Sequence, residues 1–382
     1  MDHMNEKKYV ENNNQFNYQM CILKAIAICF VVFGHVRADR LAIGTLYGLF
    51  PYYSFHIPLF LFVTGYFYKK VENFNVLPLV YKKVKNYVVY FYCVNGLFLI
   101  VQTLLRYRGF SIGDTFSLLT WLILPWITLE PKTFAAPTWY LIAAFIAEII
   151  YIFLRNLVAL IIKNEKAKEI CIGLLCTALG VSALYLCHYA SLSNPLKVII
   201  RSCIMIPFLD TGFLYRYYLE KIDNTPSIIY FSIVLMLQYL LLLVTKNNNL
   251  HFLLHDLSGF ENVGVEYYFA GISGIALWLR VSRLLSKLPE SKLIINIGMN
   301  TKYIMANHLF GFFLLNCFFA LLKSNGFIPS FFERFSIGEF KRTIYFTYKV
   351  EPRIIPIYFA FGIAFSLVIV YTMKLARKML KH

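Results

Sequence analysis

Charge is scarce in this chain, and acidic charge scarcer still. Of 382 residues only 15% are Asp, Glu, Lys or Arg, where soluble domains carry about 25%. Twenty acidic residues face 37 basic ones, a formal charge of +17. Each shortage excludes something. So little charge among 59% hydrophobic residues excludes an ordinary soluble globule. The excess of basic groups would suggest nucleic acid in a soluble protein; here it reads as the positive bias of cytoplasmic loops, and no nucleic-acid partner is expected. The eight cysteines at 21, 29, 93, 171, 176, 187, 203 and 317 form no C-x-x-C pair. That argues against a zinc site or disulfide framework, so they read as packing residues and no metal is expected. Nor does the polar N-terminus, MDHMNEKKYVENNNQFNYQ, hold the apolar core and small-residue cleavage site of a leader peptide.

What is present is a series of apolar runs of bilayer length. They predict an all-α polytopic integral membrane protein with about ten helices, near 20–36, 48–68, 86–105, 138–162, 170–188, 198–218, 226–245, 264–284, 301–322 and 354–375. The segment 112–130 is short and proline-punctuated, and reads as an interfacial or re-entrant piece; if it spans, the count becomes eleven. An even count with a cytoplasmic N-terminus places 21 lysines and arginines on inside segments and 14 on outside ones. That asymmetry supports cytoplasmic termini at both ends. Three segments follow: a polar cytoplasmic N-terminus over 1–19, a membrane domain over 20–376, and a basic cytoplasmic tail over 377–382.

The chain is organised around Lys24 to Tyr66. Lys24 and His35 interrupt an otherwise apolar run from Met20 to Val36. Eleven residues on a helix are three turns plus about 20°, so both side chains lie on one face, about 16 Å apart along the axis. Taken singly, Lys24 reads equally as an interfacial lysine and His35 as a hydrogen-bonded histidine at a helix end. Aligned, they point to a polar interior, because ionisable groups at that depth face a bundle core or a wet cavity.

A basic residue, ten residues and a histidine, followed by F-H-x-P-L-F-x-F-x-[ST]-G-[YF], resembles the acyltransferase 3 family. The matching positions are Lys24, His35, Phe55, His56, Pro58, Leu59, Phe60, Phe62, Thr64, Gly65 and Tyr66. Those proteins are integral-membrane enzymes that O-acylate, mostly O-acetylate, bacterial cell-surface glycans. Many carry arginine where this chain has Lys24, which keeps the charge but lacks the planar fork suited to phosphate. Further matches are Lys82 and Lys85, at the spacing of a basic R-x-x-R-like pair before the third helix, and the stretch from Gly298 to His308, which resembles G-x-[NS]-[ST]-x-x-[IL]-x-x-x-H. Trp139-Tyr140-Leu141 matches a W-[FY]-L opening, but Ala144 stands where one branch has a carboxylate. In this the chain is more similar to the fucose-type O-acetylase branch.

The resemblance implies a bacterial inner-membrane O-acetyltransferase moving acetyl from cytosolic acetyl-CoA to a sugar hydroxyl of a surface polysaccharide or lipid-linked glycan. A sugar hydroxyl is a weak nucleophile, so transfer needs a base or a covalent carrier, and histidine suits both. His35 is the expected catalytic residue in either role, with His56 and His308 beside it. Lys24, Lys82 and Lys85 are expected to meet the phosphates of acetyl-CoA. Lys82 and Lys85 also fit ordinary cytoplasmic decoration, His56 a partner for backbone freed by Pro58, and His308 an intrabundle bond with Asn307. Glu148, an intramembrane carboxylate, reads equally as a functional group and as a partner for Lys302 or Lys24, and Gly65 is expected to permit close helix approach. The loop 323–353, with six basic residues, fits either a hold on an anionic glycan or lipid-pyrophosphate or a solvated loop. No fused esterase-like domain is expected, so transfer is expected to be direct or through a separate periplasmic or extracellular partner. The rival class is a secondary transporter or flippase for a glycan or lipid.

Overall fold

The computed structural model describes residues 16–36, 48–70, 76–127, 129–189, 192–245, 250, 252–260, 264–326, 335–347 and 352–380. Residues 1–15, most of the polar N-terminal segment, and much of the 323–353 loop, including Pro329, lie outside them. Among the described residues all regular elements are helical, with one isolated antiparallel bridge between Leu253 and Ser258.

Helix α1 (Tyr18–Val36) is buried on most of its surface, as its apolar circumference requires. It packs against α2 (Tyr52–Tyr66), α10 (Glu266–Leu285), α11 (Lys292–Met299), α12 (Thr301–Ser324) and α13 (Ile355–Met379). Closest of all is the seam between α2 and α8 (Asn194–Leu214). There Gly65 lies on the Leu209 carbonyl and Gly212 on the Phe62 carbonyl, so a Cβ at either would overlap backbone of the other helix. The expectation for Gly65 holds, with Gly212 as its reciprocal.

α3 (Leu77–Lys83), a π-helical stretch (Val84–Val89) and α4 (Tyr90–Tyr107) form one continuous rod. The Lys82–Lys85 cluster therefore lies on a helix and not in a loop, because Pro78 at the helix start opens the rod earlier than hydropathy alone indicates. α5 (Leu118–Ile127) is ten residues, about 15 Å, half of a hydrocarbon core. α6 (Trp139–Ile161) follows a 3₁₀ turn, and α7 (Glu165–Tyr189) and α9 (Ser227–Val244) lie farther out. On α9 the buried side chains are Val234 and Gln238, while Ile233, Met236, Leu237 and Leu240 are exposed. A helix so apolar on its outward face is solvated by lipid.

Among the described residues eight helices are long and apolar enough to cross a bilayer, and the chain is a multi-pass membrane protein. The other two expected spans are present as helices: α2, shortened to 15 residues by Pro51 at its N-cap, and α10, which carries Arg280 and Arg283. His56 thus sits in the second turn of α2.

Candidate active site

A cavity of about 390 Å³ opens where the His35 end of α1 meets the first turns of α2 and α6. His35, Val31 and Gly34 line it from α1, Tyr52, Tyr53 and His56 from α2, Trp139 and Tyr140 from α6, and Met305 from α12. Two non-helical segments complete the wall with Glu130 and with Phe252, Leu253, Leu254 and His255; Tyr345 adds a third. The lining is apolar and aromatic, with a few converging polar groups, as in sites for small ligands.

The ring of His35 lies 5.1 Å from that of His308, centroid to centroid, and stacks on Tyr345 at 5.5 Å with planes 10° apart. His308 is fully buried behind it. Its Nδ1 donates to the Ile304 carbonyl at 2.7 Å, which leaves Nε2 with a lone pair and, among the described residues, no partner. Asn307 bonds to the Tyr303 carbonyl instead, so the expected Asn–His pair does not form. His56 Nδ1 donates to the Tyr52 carbonyl at 2.7 Å. Pro58 frees the Ser54 carbonyl, two residues away, so His56 does not patch the proline; its ring faces the cavity.

Tyr345 donates its hydroxyl to Glu130, and burial together with that carboxylate pushes the phenol well above its ordinary range. It stays a neutral donor at physiological pH. Glu130 Oε2 lies 3.9 Å from His255 Nε2, and Asp256 Oδ2 lies 3.5 Å from the same nitrogen. Sequence reasoning missed Glu130, His255 and Tyr345. The available signal was weak: a carboxylate just before Pro131, and a His-Asp pair after an asparagine-rich stretch.

The expected donor-side residues are placed apart from this cavity. Lys24 reaches Met299 Sδ at 4.0 Å and does not line it. The shared face is nevertheless real, because Lys24 touches α11 and His35 touches α12 of one continuous segment. Gly298 permits α11 to lie on the Cys21 backbone of α1, and Asn300 breaks the chain into α12. Lys302 lies over the Tyr90 and Tyr303 rings at 4.8 and 5.2 Å. Lys82 and Lys85 are exposed, while Lys83 between them turns inward to Glu148, which also accepts from Tyr87 at 2.6 Å. Glu148 therefore pairs with Lys83, not with Lys24 or Lys302, because the rod's early start brings that lysine against α6. Among the described residues no group of three or more His, Cys, Asp or Glu is arranged to hold a metal ion.

The family model for an acyltransferase domain matches residues 17–373. The chain belongs to the acyltransferase 3 family. Membership makes acyl transfer the activity class of this membrane protein, and the matched span includes every cavity residue named above. No curated protein and no solved structure matches the chain.

Proposed function

We propose that this acyltransferase 3 protein is a bacterial inner-membrane O-acetyltransferase, taking acetyl from cytosolic acetyl-CoA and placing it on a sugar hydroxyl of a surface polysaccharide or lipid-linked glycan. The observation that carries the reading is His35, turned into a cavity that also holds His56 and His255 and backed by His308. In a ten-helix arrangement with both termini in the cytoplasm, Lys24 lies nearer the cytosol and His35 nearer the outer side. Lys24, Lys82 and Lys85 then meet the coenzyme A phosphates, and acetyl passes outward along α1. His35 acts on the acetyl group as base or as transient carrier. His308 is a positioning residue: its Nε2 lone pair suits an N–H from His35 and so selects the His35 tautomer. His56 lines the acyl path. Ala144, in place of a carboxylate, supports the fucose-type branch.

Mass spectrometry of the surface glycan from cells with and without this gene tests the reading. One acetyl per modified sugar is expected to disappear with the gene. An unchanged glycan, with a lipid or glycan now stranded on one leaflet, would favour a transporter.

A further inference from the structure

The histidines on helices account for the proposed transfer, and the non-helical wall of the cavity is left without a task. That wall is built, not incidental. Contacts run from His35 through the stacked Tyr345 to Glu130, and from Glu130 to His255 at 3.9 Å. Beneath it lies Arg201 of α8, 1% exposed. Its Nη1 donates to the Leu129 carbonyl at 2.5 Å and to the His255 carbonyl at 2.8 Å, and its guanidinium covers Trp139 at 4.9 Å. One buried cation therefore fixes the backbone beside Glu130 and the backbone of His255. Burying a guanidinium is costly, and tying two irregular segments together is a use that matches the cost only where their side chains must be held in register.

We propose that Glu130 and His255 form the acceptor end of the site, with His255 as general base for a saccharide hydroxyl and Glu130 orienting its ring. This inference rests on the acetyltransferase reading above. His255 Nε2 faces two carboxylates, Glu130 and Asp256, which favours N–H at that nitrogen and leaves Nδ1 with the lone pair. Tyr52, Tyr53 and Trp139 supply aromatic surface across the same cavity for the apolar face of a sugar ring. In the step, the acceptor O–H gives its proton to His255 Nδ1 while its oxygen bonds to the acetyl carbonyl carbon. The bond from that carbon to its carrier breaks, the electron pair leaving on the donor sulfur or on the His35 nitrogen. The proton then passes from His255 to that leaving atom, regenerating a neutral imidazole. A separate base explains how transfer proceeds when the His35 nitrogen is occupied by the acyl group, since an acylated imidazole nitrogen accepts no proton.

Full-length wild type, His255→Ala and Glu130→Gln in membrane vesicles would receive acetyl-CoA labelled in the acetyl group. The acceptor would be surface polysaccharide stripped of O-acetyl groups by mild alkali. We expect His255→Ala to bind acetyl-CoA as wild type does, to label glycan about 10²–10³-fold more slowly, and to recover part of the rate with added imidazole. Glu130→Gln should slow labelling about tenfold. If His255→Ala labels glycan within about twofold of wild type, or loses acetyl-CoA binding together with transfer, the inference is overturned while the acetyltransferase reading stands. A wild type that labels no glycan overturns both.

Discussion

At the Lys24 end of the bundle, Arg155 is closed in on every side. It bonds both Glu169 oxygens at 2.6 and 2.7 Å and the Tyr151 hydroxyl at 2.9 Å, with the Phe213 ring 3.8 Å from its guanidinium carbon. Tyr151 in turn donates to Asp210 at 2.9 Å. Nearby, Asp223 lies between Arg280 and Arg283, and the Tyr66 hydroxyl joins Asn17 to Glu220. At the other end, His308 keeps a buried nitrogen without a described partner, and His35, His56, His255 and Glu130 face an open cavity. One region pairs most of its polar groups with one another and locks helices. The other turns them toward a shared space that can admit a ligand.

The contrast can be broken from either side. The largest effect expected is from His35→Ala: inserted, abundant protein with surface acetylation down by at least about a hundredfold. Wild-type acetylation by that variant would remove His35 from the chemistry. Next is Arg155→Met, which leaves Asp210 buried without its cation and Glu169 with Lys70 alone at 3.2 Å, and should destabilise by about 3 kcal/mol in denaturant unfolding of detergent-solubilised protein. If it abolished transfer while leaving stability intact, the division between ends would fail. Gly65→Val forces α2 off α8 and should destabilise by about 1–3 kcal/mol or more, read as a lower unfolding midpoint.

Two smaller effects sharpen the comparison. Tyr345→Phe removes a hydrogen bond to a carboxylate, about 1.5 kcal/mol, so turnover should fall roughly tenfold with folding unchanged. Unaltered turnover would show that Glu130 needs no such anchor. Lys82→Ala with Lys85→Ala removes two exposed charges, and the acetyl-CoA requirement in vesicles should rise about threefold. No rise would return both lysines to membrane-surface decoration.

Much of this is legible in the order of residues. The spacing of Lys24 and His35, the apolar runs, and Gly65 each encode a constraint local to one helix, and helical periodicity projects such constraints directly onto a face. The pairing of Glu148 is not legible there, because it depends on where the rod from Leu77 to Tyr107 begins and on a π-turn within it. The non-helical wall is less legible still. Glu130, His255 and Tyr345 are separated by roughly a hundred residues each, and no periodicity relates them.

The sequence alone determined that this chain lives in a bilayer, that its first helix carries a cation and an imidazole on one side, and which family it resembles. Hydrophobic length and helical phase are local properties, written residue by residue. Tertiary structure decided which lysine meets Glu148, that Lys24 stands outside the cavity, and that Arg201 ties Leu129 to His255. Those outcomes depend on where helices cross and how irregular segments are pinned, and that information exists only once the chain has packed.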